Sequence, residues 1–370
     1  MADQVLVIGG QGRVGSKIAQ DIATHTDATV VITARHSRNS LPSELQGLSI
    51  KSLTLDLSDL DSLRQAVSQS QLVIDAAGPF QTQDDRVLAC CLEAGVNYLD
   101  ISDHPQFTRQ ALSHHVTAEK VGVTAIINTG IFPGISNSLV RQAVETLDQP
   151  ETIHLSYVVG GSGGAGVTVM RTTFLGLQHP FSAWLEGKWQ SVEPYTEREI
   201  VEFPAPYGKT GVYWFDMPET FTLAESFPVN TVITKFGSVP DFYNHLTWIV
   251  AHKFPRTGLK NPNVIEFLSQ VSYRMTQWTD PWSGVGVAIK AVVTGQKQGK
   301  PMSACSTMIA ENTAIAAGIG AGTLAELILT GKLQKPGVWP VERILPTNLF
   351  ELMMNNRRVK IQSILNPITR

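Results

Sequence analysis

Apolar residues over the first 130 positions come in short runs separated by amphipathic stretches, the rhythm of buried strands and covering helices. Strand-length runs fall at residues 4–9, 29–34, 50–56, 71–77, 97–101 and 124–128. The run at 71–77 is apolar almost throughout, as expected of a parallel strand covered on both faces. Between the runs, residues 13–24 place Val14, Ile18 and Ile22 on one helical face. Ser58 is positioned as an N-cap for a helix carrying Leu60, Leu63 and Val67. Further helices are expected over 87–94 and 105–119. Such alternation predicts an α/β fold, a Rossmann-type doubly wound parallel sheet.

The pattern changes near residue 131. Residues 131–300 hold six of the seven Trp, six of the seven Tyr and eleven of the fourteen Phe, which marks a second domain with its own core. Alternating segments at 153–159, 211–215 and 229–236 suggest an antiparallel sheet. Helical stretches are expected near 169–185, 242–252 and 264–273, and 285–294 with 302–309 reads as a long hairpin. The predicted organisation is a nucleotide-binding domain at 1–130 and an inserted α+β domain at 131–310 for substrate binding or oligomerisation. Helices at 311–370 are expected to return to the first domain.

Composition narrows the class only slightly. A chain of 370 residues, 43% hydrophobic and 16% charged, is that of an ordinary globular protein, and its formal charge of −3 gives no reason to expect nucleic acid. The uncharged stretch at 312–325 is too short to span a bilayer, which takes about 20 apolar residues. The start lacks a basic region of the kind that opens a signal peptide. Cys90, Cys91 and Cys305 lack metal-ligand spacing, no His cluster has the pattern of a metal site, and a reduced cytoplasmic setting is expected.

The chemistry begins at Gly10-Gln11-Gly12-Arg13-Val14-Gly15, which leaves a strand and opens a helix. In that context Gly10 permits a tight turn, Gly12 lets backbone approach a pyrophosphate, and Gly15 allows close helix packing. The helix N-terminus then holds the anion. An acidic residue at the end of the second strand would bind a ribose 2′-hydroxyl, but this chain has Arg35 there, followed by Ser37 and Arg38. A guanidinium suits a 2′-phosphate, so NADP(H) is the expected cofactor. Asp56, ending the third strand, reads equally as an adenine contact or a capping residue.

Three later motifs carry a family resemblance: Ala76-Ala77-Gly78-Pro79-Phe80, Ala94-Gly95-Val96-Asn97-Tyr98-Leu99-Asp100, and Gly130-Ile131-Phe132-Pro133-Gly134-Ile135-Ser136-Asn137. With a tail of Gly331-Lys332-Leu333 and Pro336-Gly337-Val338-Trp339-Pro340-Val341-Glu342, they resemble the saccharopine dehydrogenase-like reductases over nearly the whole chain. The resemblance implies a Rossmann domain with an inserted α+β domain and a cleft between them. It implies that Gly10, Gly12, Arg13, Val14 and Gly15 hold the pyrophosphate and that Arg35 reads the adenine ribose. Ala77, Gly78, Pro79 and Phe80 would run along the nicotinamide-side ribose. Phe132 stands where amino-acid-linked members often have Asp, which weighs against a doubly carboxylated amino-acid substrate.

Ligands of doubly wound sheets sit beyond the carboxyl ends of the strands. There Asp103 and His104 are the best-placed titratable groups for a proton donor, with Tyr98 third because it is able to face the sheet core instead. The expected activity is an NADPH-dependent oxidoreductase moving hydride to or from a C=N, C=O or activated C=C bond of a small or partly apolar substrate. The competing expectation is a non-catalytic NADPH-binding sensor or partner protein. Residues 246–250 suit contact with lipid or another subunit, and a homodimer through the inserted sheet is a further expectation. The glycine-rich run 160–166 reads as a lid or a connector.

Overall fold

The computed structural model describes residues 4–36, 41–164 and 166–368. It divides into two compact units, Met1–Ile135 with Ala314–Pro346, and Ser136–Thr313 with Thr347–Arg370.

Unit 1 opens with β1 (Gln4–Ile8), α1 (Arg13–His25), β2 (Thr29–Ala34), β3 (Ile50–Thr54) and α2 (Leu60–Ser68). It continues with β4 (Leu72–Asp75), α3 (Arg86–Ala94), β5 (Asn97–Asp100), α4 (Pro105–Ser113), α5 (His115–Val121) and β6 (Thr124–Ile127). The expected helix at 105–119 is therefore two, broken at His114. The N-cap of α2 is Asp59 rather than Ser58, its carboxylate accepting from the Ser62 N–H at 3.1 Å. Ser58 instead donates from N and Oγ to Asp56 Oδ1, closing a turn. One hydrophobic cluster joins Leu6, Val31, Val73, Tyr98, Ala125 and the apolar faces of α2 and α3. Burial of this kind contributes about 25 cal/mol per Å² of apolar surface.

After α6 (Ile135–Glu145), unit 2 forms β7 (Gln149–Gly160), α7 (Val167–Leu175), the hairpin β8 (Phe181–Leu185) and β9 (Lys188–Val192), and β10 (Glu199–Glu202). Then follow β11 (Lys209–Trp214), α8 (Glu219–Ser226), β12 (Thr231–Val239), α9 (Phe242–Lys253), α10 (Arg256–Leu259) and α11 (Pro262–Ser283). The long hairpin is β13 (Val287–Lys297) and β14 (Lys300–Ala310). The helix expected across 169–185 stops at Leu175. Glu186 and Gly187, with φ of 53° and 74°, turn β8 into β9.

The chain re-enters unit 1 through α12 (Thr313–Leu329), β15 (Gly337–Pro340) and α13 (Val341–Ile344), and ends with α14 (Thr347–Asn356) and β16 (Ile361–Pro367). Among the described residues the first sheet has seven strands ordered β15-β6-β5-β4-β1-β2-β3, every pairing parallel. The second sheet runs β10-β11-β12-β7-β13-β14-β16 and is mixed rather than antiparallel, because β12 pairs β7 in parallel. The tail also departs from expectation. Residues from Thr347 group with unit 2, where β16 pairs β14 antiparallel.

Within unit 1, α12 lies against α1 with almost no side chain between the backbones. A Cβ on Gly318 would stand 2.7 Å from Lys17 backbone, and one on Gly320 would stand 2.3 Å from Gly130 O. Helix backbones that close together need glycine at the contact.

The run at 160–166 is tied down where the structure describes it. Ser162 is buried and donates from N and Oγ to Asp280 on α11, at 2.7 and 2.6 Å. Gly161 N–H donates to Val239 O, and Thr313 N–H to Gly163 O. Gly161 has φ of +49°, and a Cβ there would meet Asp280 Oδ1 at 2.0 Å. The described part of the run is a packed connector leading from β7 toward α7.

Candidate nucleotide and reaction site

The turn between β1 and α1 is shaped by what its glycines lack. Gly9 has φ of +72°, and a Cβ on it would lie 2.8 Å from Ala76 O in the loop after β4. A Cβ on Gly15 would lie 2.3 Å from Gly9 O, so only glycine lets α1 start this close to the strand. Gly10 packs on Ile32 of β2, leaving Gly12 and Arg13 exposed. Gly12 is the N-cap, with no side-chain cap, and the first turn of α1 carries no acidic residue. The outward N–H groups of such a first turn, with the positive end of the helix dipole, form an anion cradle. Gln11 turns elsewhere: its side chain is buried and Nε2 donates to Ser52 Oγ on β3 at 2.7 Å, leaving its backbone at the turn.

Beyond β2, Arg35 is exposed at the carboxyl edge of the sheet. Hydrogen bonds from Ser58 hold the carboxyl of Asp56 below the usual range, and the cation of Arg35 adds to this. The β2 and β3 ends thus carry a cation with an acid beside it. Ser37 and Arg38 lie outside the described residues.

The motif after β4 splits into parts. Ala77 N–H donates to Asp75 Oδ1 at 3.1 Å, Gly78 is exposed, and Pro79 follows a cis peptide. Phe80 turns inward and stacks edge-on against Phe107 of α4, ring centroids 5.0 Å apart. Its side chain anchors the loop, leaving Ala77 and Gly78 to present backbone.

Past β5, Asp103 and His104 are both half-buried, and His104 is the N-cap of α4. Ser102 Oγ accepts from the His104 N–H at 3.2 Å. The Nδ1 atom of His104 is buried with no hydrogen-bond partner among the described residues. Burial also pushes the imidazole below its ordinary value, so it is held neutral. Tyr98 is fully buried in the sheet, with burial and nearby carboxyls pushing its phenol well up. It belongs to the support of the site.

The pattern-based reading passed over the framework beneath these groups. Asp100 Oδ1 accepts from the N–H groups of Ser102 and Asn128 at 3.0 and 2.9 Å. Asn128 Nδ2 donates to Ser102 O and Thr108 Oγ1, and Thr129 Oγ1 donates to Asp100 O. One buried carboxyl therefore ties the loop holding His104 to the end of β6. The signal was present in the sequence, an Asp closing each of the apolar runs at 72–75 and 97–100.

Comparison with known proteins agrees with this geometry. Residues 5–126 match the family model described as saccharopine dehydrogenase NADP binding domain. Over 75 residues the chain is 41% identical to a probable mitochondrial saccharopine dehydrogenase-like oxidoreductase of Arabidopsis thaliana, covering 20% of this chain and 16% of that one. It is 25% identical to carboxynorspermidine synthase of Vibrio alginolyticus, over 93% of each chain. Among solved structures, saccharopine dehydrogenase (L-Glu forming) from Saccharomyces cerevisiae superimposes with a TM-score of 0.73, at 13% identity, over 98% of this chain and 100% of that one.

Proposed function

We propose that the chain, whose residues 5–126 match the saccharopine dehydrogenase NADP binding domain, is a saccharopine dehydrogenase-like oxidoreductase, an NADPH-dependent reductase or dehydrogenase acting on a C=N, C=O or activated C=C bond. The observation that carries the cofactor half is Arg35, exposed at the end of β2 where an NAD site would place a carboxylate. Gly12, Arg13, Val14 and Gly15 would hold the pyrophosphate, and the cradle suits it, since Gly12 and Arg13 are exposed at a helix start with no acidic residue in its first turn. Arg35 would pair with the 2′-phosphate, joined by Ser37 and Arg38, while Asp56 borders the adenine side. Ala77 to Phe80 would lie along the second ribose. A bound NADPH supplies the hydride.

For the chain's own part, His104 would hold the proton that accompanies hydride transfer. A neutral imidazole at pH 7 keeps one ring N–H to donate and one nitrogen to accept, which serves either direction. Asp103 stands one residue away as the second proton-handling group. The substrate we infer is small or partly apolar. The three free thiols fit a reducing compartment, and we assign the protein to the cytoplasm.

The test has two stages. Calorimetric titration should give tighter binding of NADPH than of NADH by at least an order of magnitude, and equal affinities would remove the NADP assignment. A panel of imines, ketones and activated alkenes should then contain one that consumes NADPH, and its consumption should be lost in the His104→Ala protein.

A further inference from the structure

In unit 2, α11 wears its faces the wrong way round for a helix of a lone globular protein. The side chains it buries are Ile265, Ser269, Thr276 and Thr279, mostly small and polar. On the opposite face Phe267, Val271, Trp278 and Trp282 are 66%, 39%, 86% and 69% exposed. At 100° per residue these four and Arg274 fall within roughly a quarter of the helix circumference, in a stripe about 22 Å long. Apolar stripes on surface helices normally face the core. Neighbouring α9 adds Phe242, Leu246, Trp248 and Ile249, each more than a third exposed.

The charges around these side chains have one sign. Among the described side chains of 242–284, the exposed lysines and arginines are Lys253, Lys260 and Arg274, and no Asp or Glu is exposed. The acids of the region are held by protein partners. Asp241 pairs with Arg198 and His245, Glu266 takes a two-pronged bond from Arg171, and Asp280 accepts both bonds from Ser162. In a chain of net charge −3, the exposed charged side chains of this region are thus all basic, and Lys253 lies over the Trp248 ring.

We propose that the α9–α11 face docks on an anionic phospholipid surface. Trp and Phe protruding from a helix suit the boundary of headgroup and acyl chain, where an indole ring is buried while its N–H stays hydrated. Arg274 lies in the middle of the stripe. In a helix–helix seam it would be a buried unpaired charge, whereas at a bilayer its long stem lets the guanidinium reach lipid phosphate. Lys253 and Lys260 add to the attraction. Among the described residues no helix is long and apolar enough to cross a membrane. This docking stands whether or not the redox reading holds.

Co-sedimentation of the full chain with vesicles of two parts phosphatidylcholine to one part phosphatidylserine, and with pure phosphatidylcholine, tests it. The protein should partition onto the mixed vesicles and leave them as salt is raised. Trp278→Ser with Trp282→Ser should lower that partition about tenfold or more. Arg274→Glu should lower it about fivefold or more on mixed vesicles with little change on the neutral ones. Circular dichroism and melting temperature should match the parent in each variant, since every altered side chain is solvent-exposed. Absence of the parent from mixed vesicles, or undiminished partition of the double variant, overturns the proposal. So does a parent dimer in sedimentation velocity that the double variant converts to monomer, which would make a second copy the occupant.

Discussion

Asp75 and Asp100 are register partners at the carboxyl ends of neighbouring parallel strands, and both carboxyls are fully buried. Each has one oxygen held by backbone N–H groups and a second, Oδ2, with no partner among the described residues. Two such carboxyls cannot both ionise cheaply. Burial is the main cause that pushes Asp75 up to about 6 and Asp100 up to about 7, with the charge of Asp75 adding to the rise in Asp100.

These shifts fix a direction for stability against pH. Both carboxyls bind protons more tightly folded than unfolded, so their contribution is complete below pH 4 and is lost as pH rises through 6 to 7. The loss is on the order of a few kcal/mol for the pair. Asp100→Asn, which stays neutral, should show a shallower fall in melting temperature between pH 5 and 8 than the parent. Parallel curves for the two proteins would show that the pair does not titrate in this range.

Gly15 and Gly12 separate folding from binding. Gly15→Ala forces a Cβ to 2.3 Å from Gly9 O and should cost on the order of 1–3 kcal/mol of stability, since the neighbour is backbone and unable to swing away. Gly12→Ala meets the same Gly9 O at 3.0 Å, a tight but lesser contact on an exposed turn, so its stability cost should be well below that of Gly15→Ala. Its larger effect should appear in NADPH titration, where dissociation constants rise out of proportion to the small shift in denaturation midpoint.

Arg35→Asp should weaken NADPH binding at least tenfold while leaving NADH binding within about threefold, because only the 2′-phosphate meets the new carboxylate. Equal losses for both cofactors would take Arg35 out of cofactor selection.

His104→Ala should lower kcat by about a hundredfold or more with NADPH affinity unchanged. Burial lowers this imidazole, so it stays neutral down to a pH below its ordinary value and protonates on further acidification. Where catalysis uses the neutral ring, the pH–rate profile of the parent should bend downward below pH 6.5, and that bend should be missing from the variant.

Asp280→Ala should free the connector at residues 160–164, removing both bonds to Ser162. A cost of about 1–3 kcal/mol follows from leaving the buried hydroxyl and N–H unmatched. Amide exchange at Gly161 and Ser162 should rise by more than in the strands of either sheet.

The nucleotide-binding half was legible because its physics is local. A buried parallel strand such as Leu72–Asp75 writes an unbroken apolar run, and a turn that rejects every Cβ writes glycine. What escaped depended on partners distant in the chain. Phe181 and Ala183 read as helix until Lys188–Val192 is seen to pair with them. Strand Ile361–Pro367 is half-exposed or exposed at every position, so it carries no burial pattern to read. Asp75 and Asp100 fell inside strand-length runs, and nothing in a linear pattern says that two strand-end acids lie side by side. Trp278 and Trp282 were counted with an aromatic core, though composition is blind to which way a ring points.

The glycine seam along α12 has a bearing on how the chain is made. Strand β15, which follows that helix, completes the first sheet, and Gly337 pairs with Thr124 across the whole 136–313 stretch of unit 2. During synthesis β6 must therefore wait as an open sheet edge until the ribosome has released more than two hundred further residues. Unpaired edges invite pairing with the wrong strand, and closing so long a loop is slow. A nascent chain halted before β15 would therefore present β6 as an unpaired strand edge, and the sheet of unit 1 is finished only after residues 136–313 have been made.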